Sequence, residues 1–301
     1  MSQAVLVHGG AWHIPSHLYE GNRAGCRRAA LAGWQVLQQG GSALDAVEAA
    51  VRVLENDPHF EAGFGASLSM DGEITLDAGI MDGALLAVGA VADVPLIQHP
   101  ITLARRVLES PHVFLQGAGA VRFAAEHDIP QCRLFDLLTG DQLEAWRGGY
   151  KDSYDSSGRL LPGARSDTVG AVALDAQGQF AAATSTSGLP YKHRGRVGDS
   201  PLIGCGFYAN EYAAGSASGH GEDFMRLTLL QRALTYIEAG HSAPAAASYA
   251  IDLLKTRLNG LGGLILLDRE GRPGIAHSSP NIAFGYMKEG MDEPVTGVEV
   301  I

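Results

Sequence analysis

The strongest constraint on this 301-residue chain is a break in pattern near its middle. From 148 to 165 the stretch GGYKDSYDSSGRLLPGAR is polar, rich in Ser, Gly and Asp, and has no apolar period, which predicts an exposed, mobile linker over about 148–167. Directly after it, TVGAVALD and QFAAATSTSG alternate around AQG, so a strand pair begins abruptly at Thr168. Whatever the fold, it must bring the end of that linker, the acid Asp167, against the first residue of a strand built of small side chains. Packing alone rarely asks for that combination.

The flanking halves are well patterned. AVLVHGG reads as a buried strand ending in a glycine turn, with helical material over 21–39. A second helix starts at Ser42, an N-cap with Asp45 three residues on, and Leu44, Val47, Val51 and Leu54 recur along one face. ASLSMDGEITLDAGIMDGALLAVGAVADV predicts a hairpin, ITLARRVLES and GAVRFAAEHD predict helices, GEDFMRLTLLQRALTYIEAG and APAAASYAIDLLKTRL predict two amphipathic helices, and GGLILLDREGRPGIAHSS predicts a closing hairpin. Runs of strands separated from runs of helices point to an α+β architecture of packed sheets with helices outside, as one domain over 1–301.

Composition narrows the partner. A net charge of -11 argues against nucleic acid and anionic membranes, and no stretch approaches the roughly 20 apolar residues of a membrane span, which leaves a small molecule. Cys26, Cys132 and Cys205 are too few and too scattered for a disulfide framework or a zinc cluster and suit a reducing compartment; with no signal-peptide pattern at the N-terminus, the expected location is cytoplasmic.

The junction has a chemical reading. If the bond between Asp167 and Thr168 is cut, Thr168 gains a free α-amine beside its own hydroxyl. Such an amine titrates near about 7.7–8.0, so it can serve as general base for that hydroxyl at neutral pH. The plain alternative is that Asp-Thr at a strand start is turn chemistry.

Together DTVGAVALD, AAATSTSG, GRVGDSPLIG, HGGAW, FEAGFGASL and LDAGIMDG resemble the plant-type asparaginase and isoaspartyl peptidase family of N-terminal nucleophile hydrolases, related to the glycosylasparaginases, in order over nearly the whole chain. The resemblance implies a four-layer αββα sandwich, self-cleavage into an α chain (1–167) and a β chain (168–301), and pairing as a dimer of αβ heterodimers. It implies Thr168 as nucleophile, supported by Thr186; Arg196 gripping a substrate α-carboxylate, a task suited to a planar fork; and Asp199 receiving the α-ammonium, with Gly221 close by. An ordinary surface ion pair between Arg196 and Asp199 is the alternative. Ser218 and Gly219, in SGHG, match the oxyanion hole. LENDPHFEAGFG, residues 54–65, matches a loop in which the carbonyls of Leu54, Glu55, Asp57, Phe60, Ala62 and Phe64 hold a structural sodium ion. No cofactor is implied for catalysis. His8, Gly9 and Gly10 match a glycine turn closing on the nucleophile, or a plain strand-to-helix turn.

Three residues depart from the family pattern. Glu61 stands where an asparagine is common, Ser218 replaces a threonine, and Ser166 replaces a histidine, which suggests slower self-cleavage. An ionised Glu61 facing the pocket would favour a cationic or donating leaving part, such as an isoaspartyl dipeptide with a basic second residue; otherwise Glu61 points away or is protonated. The expected substrate is thus an isoaspartyl dipeptide, L-asparagine or another β-amide. A glycosylasparaginase-like hydrolase and a non-cleaving amino-acid-binding protein are the alternatives. GAGAVR at 117–122 lacks the third glycine of a dinucleotide site, Pro15 between His13 and His17 argues against a helical metal pair, and no G-x-S-x-G elbow with a clear triad is present.

Overall fold

A computed structural model describes residues 2–149 and 167–298. Most of the linker expected over about 148–167 lies outside the described residues.

Two sheets and eight α-helices account for the described chain. β1 (Ala4–Gly9), β2 (Thr75–Asp82), β3 (Ala87–Pro95), β4 (Phe114–Gln116), β5 (Val169–Leu174), β6 (Phe180–Thr186), β11 (Phe284–Lys288) and β12 (Val295–Gly297) form an eight-stranded sheet in the order β12-β11-β1-β5-β6-β2-β3-β4. β7 (Phe207–Ala209), β8 (Ala213–Gly219), β9 (Gly262–Asp268) and β10 (Pro273–His277) form a second sheet in the order β10-β9-β8-β7. Only β3 and β4 run parallel, joined through the helix at Pro100–Leu108 as a single βαβ connection, so the α+β reading holds and no alternating series of βαβ units is formed among the described residues.

Strand alternation sorts the core. Val169, Ala171 and Ala173 of β5 face helices α1 (Tyr19–Gln38) and α2 (Ala43–Glu55), where Ala29, Ala30, Val47 and Leu54 meet them. Val172 and Leu174 turn the other way, toward Phe207, Ile265 and Leu267 of the second sheet. The opposite face of that sheet packs Leu264 and Leu266 on Leu230, Leu234 and Leu254. The α2 start is the expected capping box: Ser42 Oγ accepts from Asp45 N at 3.1 Å and Asp45 Oδ2 accepts from Ser42 N at 3.3 Å.

The small residues of β5 have a steric cause. A Cβ on Gly170 would fall 2.0 Å from Ser216 Oγ and 2.4 Å from His8 Nε2, so a side chain there would drive the two sheets apart.

Two expectations are corrected. The single helix expected over 221–240 is broken at Thr228, whose φ of +49° is left-handed, into α6 (Gly221–Leu227) and α7 (Leu229–Glu238). The break is held from outside: Arg232 Nε donates to Leu227 O at 2.6 Å and Gln231 N donates to Gly204 O at 3.0 Å. The remaining helices are α3 (Pro100–Leu108), α4 (Gly117–Glu126), α5 (Gly140–Gly148) and α8 (Ala243–Leu258). In addition, β7, β8, β11 and β12 were not anticipated. β8, AAGSASG, has little intrinsic strand preference and is held in its sheet by pairing with β7 and β9.

Candidate active site

Thr168 immediately precedes β5, which lies between β1 and β6, so its surroundings come from three neighbouring strands and the loop after β6. Its Oγ1 donates to Thr186 Oγ1 at 3.3 Å and lies 3.4 Å from Ser200 Oγ, both longer than a well-formed hydroxyl pair. Thr186 Oγ1 in turn donates to the Asp167 carbonyl at 3.0 Å and accepts from Gly188 N at 2.9 Å. One hydroxyl thus touches both the Thr168 side chain and the carbonyl of the Asp167–Thr168 bond. Asp167 itself is buried. Gly10, at φ +95°, makes room for it, because a Cβ there would fall 1.5 Å from Asp167 Oδ1.

Near Thr168, His8 contacts Ser216 Oγ at 2.8 Å, and Ser216 Oγ donates to Ala183 O at 3.2 Å. Burial pushes the His8 imidazole down to about 3, with a hydrogen bond to the Thr168 backbone acting the other way, so the ring is neutral.

Thr168, Thr186, Gly188, Leu189, Arg196, Gly198, Asp199, Ser200 and Gly219 line one cavity of about 10 Å³, smaller than one water molecule needs. Of the residues expected at a site, the structure therefore brings Thr168, Thr186, Arg196, Asp199 and Gly219 together. Gly221 adjoins them: a Cβ on it would fall 2.8 Å from Asp199 Oδ1. Ser218 is buried one residue away, its Oγ accepting from Ala11 N at 3.0 Å. Glu61 is fully buried but outside the lining; its Oε1 accepts from Gln142 Nε2 of α5 at 3.0 Å, and its carbonyl accepts from Ser187 N and Ser187 Oγ, each at 2.8 Å.

The charges are arranged in a chain. Arg196 meets Glu222 as a fork, Nε to Oε1 at 2.9 Å and Nη2 to Oε2 at 2.7 Å. Its hydrogen-bonded carboxylate is Glu222, so the ion pair with Asp199 weighed from sequence is not the one formed. Asp199 is buried with Oδ2 accepting no hydrogen bond among the described residues, and burial pushes its carboxyl up to about 7 against the pull of Arg196. Glu222 stands just after the SGHG motif, where the acid at the start of α6 was a visible signal not used.

Beneath the site, the 54–65 loop folds on main-chain bonds: Phe64 N donates to Glu55 O at 2.7 Å, Asp57 N to Leu54 O at 3.1 Å and Phe60 N to Asp57 O at 3.1 Å. Gly63 and Gly65 have φ of +62° and +111°, and Cβ atoms on them would fall 2.4 Å from Glu55 O and 2.3 Å from Phe60 O. Glycine is thus required beside the Glu55 and Phe60 carbonyls, and carbonyl oxygens are the donor type a hard cation takes, although those of Leu54, Glu55 and Asp57 each already accept a main-chain bond. Among the described residues no group of three or more His, Cys, Asp or Glu side chains is placed to hold a metal. The Glu55 side chain ties the loop to β6 and α3: Ser185 Oγ donates to Oε1 at 2.7 Å, Ile101 N donates to Oε1 at 3.1 Å, and His99 Nδ1 meets Oε2 at 3.0 Å. None of Ser185, His99 and Ser200 was anticipated, since each acts through a contact made only in three dimensions. No described helix is long and apolar enough to cross a membrane.

The family described as "Asparaginase" matches residues 1–296. An isoaspartyl peptidase/L-asparaginase from Mus musculus is 45% identical over 293 residues, covering 96% of this chain and 89% of the relative. The protein of the same name from Homo sapiens is 41% identical, over 96% of this chain and 94% of its own. A plant-type L-asparaginase from Pyrococcus horikoshii is 40% identical, over 98% and 99%.

Proposed function

The chain belongs to the asparaginase family, a family of hydrolases, and from that premise we propose that it is a self-processing threonine amidohydrolase cleaving β-aspartyl amide bonds, in isoaspartyl dipeptides and in L-asparagine. The observation that carries the reading is the shared lining: the Thr168 hydroxyl, a guanidinium and a carboxylate face one small cavity, with Thr186 against both Thr168 and the Asp167 carbonyl.

Maturation begins as Thr168 Oγ1 attacks the Asp167 carbonyl carbon while Thr186 stabilises the oxyanion. The hydroxyl proton passes to the Thr168 nitrogen, the C–N bond breaks to release the Thr168 amine and leave an ester, and water hydrolyses that ester to a carboxylate on Asp167 and the hydroxyl on Thr168. Two chains result, 1–167 and 168–301, and loss of the covalent link lets the cavity open.

In turnover the freed amine takes the hydroxyl proton as Oγ1 attacks the β-carbonyl. The tetrahedral oxyanion is held at Gly219 and Ser218, the leaving amine departs with the proton, and water hydrolyses the β-aspartyl ester. Arg196 reads the α-carboxylate and Asp199 the α-ammonium. Apolar clusters between helices and the first sheet, between the two sheets, and between the second sheet and helices support a four-layer αββα sandwich; the carbonyls of the 54–65 loop are the donors assigned to a structural sodium ion, and assembly as a dimer of αβ heterodimers in a cytoplasmic setting completes the reading.

The test is intact-mass analysis of purified protein after incubation at neutral pH, with Thr168→Ala alongside, followed by assay on L-asparagine and a β-aspartyl dipeptide. Two chains dividing between 167 and 168, absent in the variant, with hydrolysis by the cut form alone, are expected. A stable chain near 31.6 kDa would favour an amino-acid-binding protein.

A further inference from the structure

The LDAGIMDG stretch places an acid, Asp77, whose position the reaction above does not explain. Asp77 lies where the register between β2 and β3 shifts, between Leu76 and Ala78, and on its other side it pairs with Thr186 of β6. A bulge beside a reactive residue re-aims a side chain. Here Asp77 Oδ1 accepts from Asp93 N at 2.8 Å, and Asp93 adopts a left-handed φ of +53°. Oδ2 is fully buried and accepts no hydrogen bond among the described residues, a costly placement unless a charge balances it.

That charge is at hand. Lys192 is buried, and its Nζ donates to Thr75 O at 3.1 Å, two residues before Asp77. On its other side it reaches the pocket wall: a Cβ on Gly188 would fall 3.2 Å from Lys192 Nζ and 3.6 Å from Arg196 Nη1. Glu222 already occupies Nε and Nη2 of Arg196, so Nη1 is the edge of the fork turned to Gly188 and Gly198. The two cations therefore approach each other at the glycine that lines the cavity, and Asp77, which makes no direct ion pair with either, is a buried negative charge that both of them feel. Burial raises the Asp77 carboxyl, and the positive charges opposing that rise are Lys192 and then Arg196. Burial lowers the Lys192 ammonium, and Asp77 is the leading charge that holds it up.

We propose that Asp77 and Lys192 are positioning residues for the head-group pocket, two buried opposite charges that act on Arg196 without a direct ion pair between them, keep its Nη1 toward the cavity and so determine that a free α-carboxylate is recognised. The inference rests on the proposed function, deepening its account of specificity. Neither residue touches the reacting atoms; both act through Arg196. Leaving Lys192 buried without Asp77 removes the negative charge that offsets the two cations, while leaving Asp77 without Lys192 leaves its buried carboxylate to compete for the Arg196 charge.

The test is calorimetric binding of L-aspartate and of its α-amide, which lacks the carboxylate charge, to matured wild type, Asp77→Asn, Lys192→Met, Lys192→Arg and the Asp77→Asn/Lys192→Met double variant, with the cut fraction of each measured by mass. Wild type should prefer L-aspartate. Each single charge removal should weaken L-aspartate by about tenfold to a hundredfold and leave the α-amide within about twofold. Lys192→Arg should retain the preference, and the double variant should lose less than the two singles combined, because neither charge is left stranded. Equal losses for both ligands, or a preference that survives in the single variants, would overturn the inference while leaving the proposed function standing. Wild type that fails to distinguish the ligands would overturn both. If Asp77→Asn does not mature, the two Lys192 variants decide by the same criteria.

Discussion

Arg196 and Glu222 form a two-bonded fork at 2.9 and 2.7 Å, an interaction made before any substrate arrives. The residue assigned to grip a carboxylate is thus aimed by another carboxylate, which fixes the plane of the guanidinium and leaves one edge for the cavity. Glu222 is 42% exposed, so water screens part of its charge. Glu222→Gln should raise KM for L-asparagine about three- to tenfold with kcat changed by less than twofold, read from steady-state kinetics of the cut enzyme.

Asp199 predicts a pH limb. Its carboxyl is pushed up to about 7, chiefly by burial, and must be ionised to receive an ammonium group. kcat/KM should therefore rise through two ionisations, that of Asp199 near 7 and that of the Thr168 amine at about 7.7–8.0, and Asp199→Asn should lose the lower one and most of the activity while the amine's limb remains.

The same shift bears on stability, with the opposite sign from a salt-bridged acid. Between the ordinary 3.8 and about 7 the folded protein holds a proton that the unfolded chain has released, so stability from this group declines as pH rises and is lost above about 7. Asp199→Asn should accordingly unfold about 2–5 °C higher than wild type at pH 8, and by less at pH 5, in scanning calorimetry.

Thr186 is the donor to the carbonyl of the bond to be cut. Thr186→Val keeps the shape and removes that donor, so self-cleavage should slow about a hundredfold, visible as an intact chain persisting in a mass time course. Cleavage at the wild-type rate would show that the oxyanion is stabilised elsewhere.

Glu55 serves three partners from the dry interior: Ser185, Ile101 and His99. Glu55→Ala strands all of them, and should cost about 3 kcal/mol or more, measured by denaturant unfolding. Glu55→Gln, which keeps an acceptor for Ser185 or Ile101, should lose less.

Much of the fold was legible in the chain because its signals are local. The Ser42 and Asp45 capping box, the apolar period of ITLARRVLES, the alternation of TVGAVALD and the tight hairpin turns act within a few residues, where intrinsic preference and apolar period decide the outcome. Much of what was missed is non-local. Thr228 breaks a helix that its own periodicity would continue, where Gly204 takes the Gln231 amide from a distant loop and Arg232 caps the Leu227 carbonyl. The AAGSASG strand exists only by pairing on both edges.

The site divides along the same line. Sequence by itself picked out side chains that the fold brings to one cavity: a threonine after an acid at a strand start, and an arginine and an aspartate three apart in a glycine-rich loop. Tertiary structure alone decided their partners. It gave Arg196 to Glu222, turned Ser218 toward Ala11 and Glu61 toward Gln142, and set Lys192 against the Thr75 carbonyl. The reason is physical: a buried charge or hydroxyl must be satisfied by whatever packing brings within about 3 Å, and that neighbour comes from another element, between 26 and 207 residues away in the chain.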